Sequence, residues 1–209
     1  MKIKNFVITM FFILVSLVVY GLFPVNNQFQ QLVVMVSFFA IIPVIFNKVI
    51  LKRRLGDIGL KIGDWKQGLF WSGVGIVVAG LLFFIAIYFF NFLKHYTIPT
   101  TITYNYKNFL FYEFLLVVPV VFLYDLFFRG FVMLILDIKI YYWAIVAQML
   151  IFFIFIVATN SLTWDFVPYL ISAPLVGVVT YKSGSIFYST LFQSIIIIML
   201  DANIVRLVK

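Results

Sequence analysis

Residues 108–136 read NFLFYEFLLVVPVVFLYDLFFRGFVMLIL, the longest apolar run of the chain. A helix needs about 20 apolar residues to cross a hydrocarbon core about 30 Å thick, so this run predicts a membrane helix that is tilted or projects from the bilayer. Inside it stand Asp125 and Arg129, four residues apart. On insertion scales either residue costs about 2.5–3.5 kcal/mol at the centre of a spanning helix, so such groups face a protein interior or a watery cavity. That makes the stretch from Tyr124 to Gly130 the first candidate site.

The rest of the chain is of the same kind. Its mean hydropathy is +1.17, and 65% of its 209 residues are hydrophobic while 11% are charged. Too few polar side chains remain to coat a soluble globule. The other long apolar runs are 5–23, 31–51, 68–93, 141–159, 165–181 and 185–200, with the last two short. The expected fold is therefore all-α, a polytopic membrane helix bundle of about seven transmembrane helices. No linker, repeat or low-complexity tract divides it, so residues 1–209 are read as one integral membrane domain.

Charge distribution predicts the topology. Lys2 and Lys4 precede the first run, which has no small-residue cleavage pattern and reads as an uncleaved anchor with a cytoplasmic amino end. The connection at 48–66 holds Lys48, Lys52, Arg53, Arg54, Lys61 and Lys66 against Asp57 and Asp64, so it belongs on the cytoplasmic side. The uncharged connection Pro24 to Gln31 and the base-free one from Asn160 to Trp164 fit the outside, with Lys139 and Lys182 inside; Lys94, Lys107, Arg206 and Lys209 fit this scheme less well. Trp65, Trp71, Trp143 and Trp164 fall at helix ends, where indoles anchor at headgroups. The expected location is the plasma membrane.

The net charge of +8 lies in loops between apolar runs, where it sets topology and meets anionic lipid, which excludes nucleic acid as a partner. The partners expected are the lipid bilayer and another membrane protein or peptide. Pro43, Pro119, Pro168 and Pro174 read as interior helix prolines, which imply kinked, packed helices. Gly68, Ser72, Gly75 and Ala79 put small residues at about one-turn spacing, a pattern for close helix packing within the molecule.

Sparse polar groups limit the chemistry. Asp125 and Arg129 share a helix face and can pair, either as a structural ion pair that pins helices together or as part of a polar cavity. Tyr112 and Glu113 read as a solvated anchor near the outer start of the fourth helix, Gln148 and Gln193 as interhelical hydrogen bonders, and His95 as a solvated loop residue. With one His and no Cys, neither a metal site nor thiol catalysis is expected, and nothing indicates a cofactor. No pair of membrane aspartates of the kind used for peptide hydrolysis is legible.

The run Tyr124-Asp125-Leu126-Phe127-Phe128-Arg129-Gly130 resembles the Glu-Glu-x-x-x-Arg-Gly motif of the CAAX-processing and bacteriocin-processing (CPBP, or Abi) intramembrane proteases. The resemblance continues in register over about 54–197. Arg54-Leu55-Gly56-Asp57-Ile58-Gly59-Leu60 is similar to a loop preceding that family's third helix, and Trp143 matches an aromatic opening the following helix. Phe153 to Val157 falls at the family's Phe-x-x-x-His, Gly177 to Ile186 at its Gly-rich turn, and Gln193 to Ile197 at its final His-x-x-x-Asn.

This resemblance implies a fold like the CAAX prenyl endopeptidases and a catalytic set at Tyr124, Asp125, Arg129, Val157, Gln193 and Ile197. In the family the first Glu and first His activate water, and the later His and Asn stabilise the oxyanion. Here Val157 and Ile197 occupy the lost His and Asn positions and can neither accept a proton nor donate a hydrogen bond. Losing a general base costs about 10²–10⁴-fold, and an oxyanion donor about 10²–10³-fold. The resemblance thus implies a degenerate, catalytically inactive protease homologue acting as a membrane binding, scaffold or immunity-type factor. The alternatives are an active endopeptidase cleaving prenylated or membrane-embedded peptides and, with no repeated halves visible, a small transporter.

Overall fold

The computed structural model describes residues 3–99, 102, 105–140 and 142–208. Lys2 and Lys209, used above for topology, lie outside the described residues. Each of the seven apolar runs forms a helix: α1 (Ile3–Leu22), α2 (Phe29–Ile50), α3 (Trp65–Phe90), α4 (Tyr106–Asp137), α5 (Trp143–Ala158), α6 (Val167–Ser183) and α7 (Ile186–Val208). No strand occurs among the described residues. The chain is a membrane helix bundle.

Five helices, α1, α2, α3, α4 and α7, are long and apolar enough to cross a membrane. The other two are shorter: the 16 residues of α5 cover roughly 24 Å at 1.5 Å per residue, and α6 has 17. The seventh helix corrects the sequence reading, because it does not end near residue 200 but runs on to Val208.

The bundle is built around α4. In its most apolar window 67% of residues are buried, against 17% for α1 and for α3, whose outward faces carry Phe11, Leu14, Val77, Leu81 and Phe84 toward lipid. Every residue from Asp125 to Met133 is buried. Around this segment Phe39, Phe46, Phe127, Phe128, Phe131, Phe152 and Phe155 form one apolar cluster. Phe128 meets Phe152 edge-on at 4.9 Å, while Phe39 stacks on Phe127 at 4.8 Å.

Two interior prolines sit where the helix has been widened to take them. Pro43 follows the π-helical turn Ser37–Ile41 by two residues, and Pro119 follows the π-helical turn Glu113–Val117 by two. A proline ring collides with the carbonyl four residues earlier, and in both helices that carbonyl, of Phe39 or Leu115, lies in the wider turn. Pro174 is also interior to α6, but Pro168 is not. It occupies the first turn, where the missing N–H would have had no helical partner.

The small residues of α3 serve internal packing. Gly68, Ser72, Gly75 and Ala79 are buried. A Cβ at Gly68 would meet the Tyr188 ring, one at Gly75 would lie 3.1 Å from Phe192, and the Ser72 hydroxyl donates to the Tyr188 carbonyl at 3.3 Å.

Contacts between loops define two ends. At the basic end the connection 51–64 folds back onto the turn between α6 and α7: the Asp64 N–H donates to the Ser183 carbonyl at 2.8 Å and the Ile186 N–H to the Gly59 carbonyl at 3.1 Å. Gly59 has φ +80, and a Cβ there would run into Ile186. Lys182 lies 5.8 Å from both the Trp71 and Tyr142 rings at this same end. At the opposite end His95 stacks on Trp164 with centroids 4.9 Å apart, and Thr97 bonds to Asp165. The connections predicted to share a side therefore do so.

Candidate functional site

Asp125 and Arg129 pair as their spacing predicts, with Arg129 Nε 3.4 Å from Asp125 Oδ1 and both side chains fully buried. The pair lies within α4, so it does not itself pin one helix to another. That link is made by its neighbours. From α7 the Thr190 hydroxyl donates to Asp125 Oδ2 at 2.9 Å, and from α5 the Phe152 ring lies 5.0 Å from the Arg129 guanidinium carbon. An acid and a base at (i, i+4) thus hold each other while a hydroxyl and an aromatic face join α4 to its neighbours.

The π-helical turn sequence Asp125–Met133 carries this cluster. Gly130, immediately after Arg129, has no room for a side chain, because a Cβ there would collide with the Ile58 carbonyl. The Arg-Gly dipeptide has a local reason in packing: Gly130 lets the basic-end loop press against α4.

The other motif positions disperse. Gln193 is buried and its Nε2 donates to the Ser172 hydroxyl at 2.7 Å, an α7 to α6 bond. Gln148 likewise donates to the Ala173 carbonyl at 3.1 Å, so both glutamines bond between helices as their positions in apolar runs predict. Ile197 is buried beside Val117 and Val121. Val157 is 45% exposed on the outer face of α5, and Phe153 shares that face. The inward positions of α5 are one residue earlier, at Phe152 and Ile156, so position 157 is not directed at Asp125. Ile156→Ala is expected to cost about 2–4 kcal/mol and Val157→Ala well under 1 kcal/mol in thermal unfolding.

A cavity of about 490 Å³ opens toward the end opposite the basic loop. Exposed Gln31, Thr97 and Leu116 stand at its rim, while buried Met35, Tyr124 and Ile197 lie deepest in its wall. Tyr124 and Ile197 are the motif positions that line it; Asp125, Arg129, Val157 and Gln193 do not.

Two acids stand in this region, and one of them corrects the sequence reading. Glu113 is not a solvated anchor: it is 0% exposed, and both of its oxygens lack a donor among the described residues. Its carboxyl instead faces that of Asp201, which the continued α7 brings inward and which lines the cavity. The Tyr96 hydroxyl donates to Asp201 Oδ1 at 2.7 Å, and burial, helped by Asp201, holds this phenol well above its ordinary range so that it stays a donor. Asp165 Oδ1 accepts from the Thr97 N–H and hydroxyl, both at 2.9 Å.

Glu113 and Asp201 were missed as a pair because 87 intervening residues separate them and Asp201 follows the apolar run proper. The usable signal was the helical spacing of Ile197, Leu200, Asp201 and Ile204, all on the buried face of α7. No group of three or more His, Cys, Asp or Glu able to hold a metal occurs among the described residues. No protein-family model matches this chain, and no curated protein or solved structure matches it either.

Proposed function

We propose that this chain is a non-catalytic binding protein of the membrane, with a CPBP-like bundle in which the protease motif has become structural. Its outer cavity receives an apolar or amphipathic ligand, such as a segment of another membrane protein or peptide. The observation that supports this most is the separation of motif from cavity. Asp125 and Arg129 are enclosed by Thr190, Phe152 and the basic-end loop, while the space that could admit a ligand stops at Tyr124.

Hydrolysis needs a polarised water, a base within hydrogen-bond reach and a donor for the oxyanion around one reacting carbonyl. Of the motif positions, Val157 is turned to the outer face and Ile197 offers only methyl and methylene groups. By the charge rule the cavity opens to the non-cytoplasmic side and the amino end is cytoplasmic.

The test is incubation of the purified protein in lipid nanodiscs with a farnesylated CAAX-type peptide, followed by mass spectrometry. The peptide is expected to remain intact. Cleavage that disappears in an Asp125→Asn variant of unchanged thermal stability would overturn the reading.

A further inference from the structure

The outer cavity has a chemistry that its apolar setting does not require. Its polar wall is supplied by Tyr96, Thr97, Tyr112, Asp165, Tyr169 and Asp201, and its apolar wall by residues such as Leu32, Met35, Leu116 and Val120. Glu113 stands behind Asp201, carboxyl against carboxyl. Two acids, Asp165 and Asp201, therefore line one space, and Glu113 lies close behind Asp201. No lysine or arginine lines it, and among the described residues none forms an ion pair with Glu113, Asp165 or Asp201.

Placement makes this arrangement costly. Asp201 is 2% exposed and Glu113 fully buried, both in helices that cross the membrane. A buried carboxylate without a counter-charge is strongly disfavoured, and a neighbouring carboxylate adds repulsion. The bundle neutralises its other buried acid, Asp125, with Arg129. At the outer end no base pairs with these acids among the described residues, while a cavity of about 490 Å³ lies beside them.

We propose that this cavity binds an organic cation, an ammonium group attached to an apolar arm. The ammonium group is held by Asp201 and Asp165 with the Tyr96, Tyr112 and Tyr169 rings about it, and the arm lies along Leu32, Met35, Leu116 and Val120. Carboxylates supply charge-assisted acceptors for the N–H donors, and phenol rings attract a cation through their faces. Exposed Leu116 at the rim places the apolar arm next to lipid, so the ligand enters from the outer leaflet or the solution beside it. An anionic ligand is excluded by the same two lining acids. This inference rests on the proposal that the cavity is a binding site and adds the charge of what it binds.

The experiment uses the full chain in nanodiscs of zwitterionic lipid and equilibrium dialysis with three radiolabelled probes of equal arm length, octylammonium, octanol and octanoate. Empty nanodiscs give the partitioning background. Octylammonium is expected to show one saturable site per chain, with octanoate showing none. Asp201→Asn is expected to weaken octylammonium at least about tenfold, the value of one charge-assisted hydrogen bond. Asp165→Asn, which alters the rim and leaves the helix core intact, is expected to weaken it as well, and Asp64→Asn at the basic end is expected to leave it unchanged. Saturable binding of octanol or octanoate as tight as octylammonium would overturn the charge inference and leave the binding reading standing. Absence of saturable binding for all three probes would overturn both. If Asp201→Asn unfolds, undiminished octylammonium binding by Asp165→Asn overturns the site as drawn.

Discussion

Arg129→Ala is expected to be among the most damaging single substitutions in this protein, lowering stability by about 3–5 kcal/mol. The reason lies in what remains. Asp125 would keep the Thr190 hydroxyl but would lose its counter-charge and sit as an unpaired acid in a fully buried layer of α4. The Phe152 face would lose the cation it covers, and a cavity would open beneath the Phe127–Phe128–Phe131 cluster. Thermal unfolding in detergent, with membrane accumulation as a second readout, measures the loss. Retention of both within error would mean that the pair does not support the fold.

Gly130→Val is expected to be damaging for a different reason. The added Cβ would meet the Ile58 carbonyl, a backbone atom that cannot turn aside as a flexible side chain would. The loop carrying Ile58 is fastened by the Asp57 carboxylate on the Arg54 N–H and by the bond from Ile186 N–H to Gly59. One side or the other must move. Overpacking of this kind costs about 1–3 kcal/mol. Displacement of the loop is also visible directly: trypsin applied to the basic face is expected to cut at Lys52, Arg53 and Arg54 several-fold faster than in the unsubstituted chain. Equal cutting rates would show that the close approach of α4 and the loop is not a constraint.

Sequence and structure agree where one physical term dominates. Seven apolar runs became seven helices because backbone groups in hydrocarbon must be satisfied within their own segment, and run length is directly readable. The (i, i+4) pairing of Asp125 with Arg129 was equally direct, since helix geometry alone puts the two on one face. The grouping of connections was legible through loop charge: the bonds from Asp64 to Ser183 and from Thr97 to Asp165 put connections predicted to share a side on common ends.

The failures have physical causes too. Glu113 was read as a solvated anchor near the start of its helix, yet it turned inward because it lies on the buried face of that helix. Average hydropathy does not carry that facial information. Pro168 was read as interior because the start of α6 is set by Trp164–Phe166, a short 3₁₀ turn with no strong apolar boundary. The α5 motif was placed on Phe153 and Val157, whereas packing against α4 selects Phe152 and Ile156, a one-residue difference that only the partner helix determines.

These corrections move the interest of the molecule from one place to another. The motif layer at Asp125 is closed and held from three helices, and the open polar space lies on its far side, walled by tyrosines and acids. The central claim is that Asp125 and Arg129 serve the fold. A double-mutant cycle on thermal unfolding, comparing Asp125→Leu, Arg129→Leu and the two together, tests it most directly. Each single variant leaves one buried charge alone and is expected to lose about 3–5 kcal/mol, while the double variant, with both charges gone, is expected to return to within about 1–2 kcal/mol of the unsubstituted chain. Single variants as stable as the unsubstituted chain, or more stable, would contradict the claim, because residues kept for activity at a cost to the fold behave in that way.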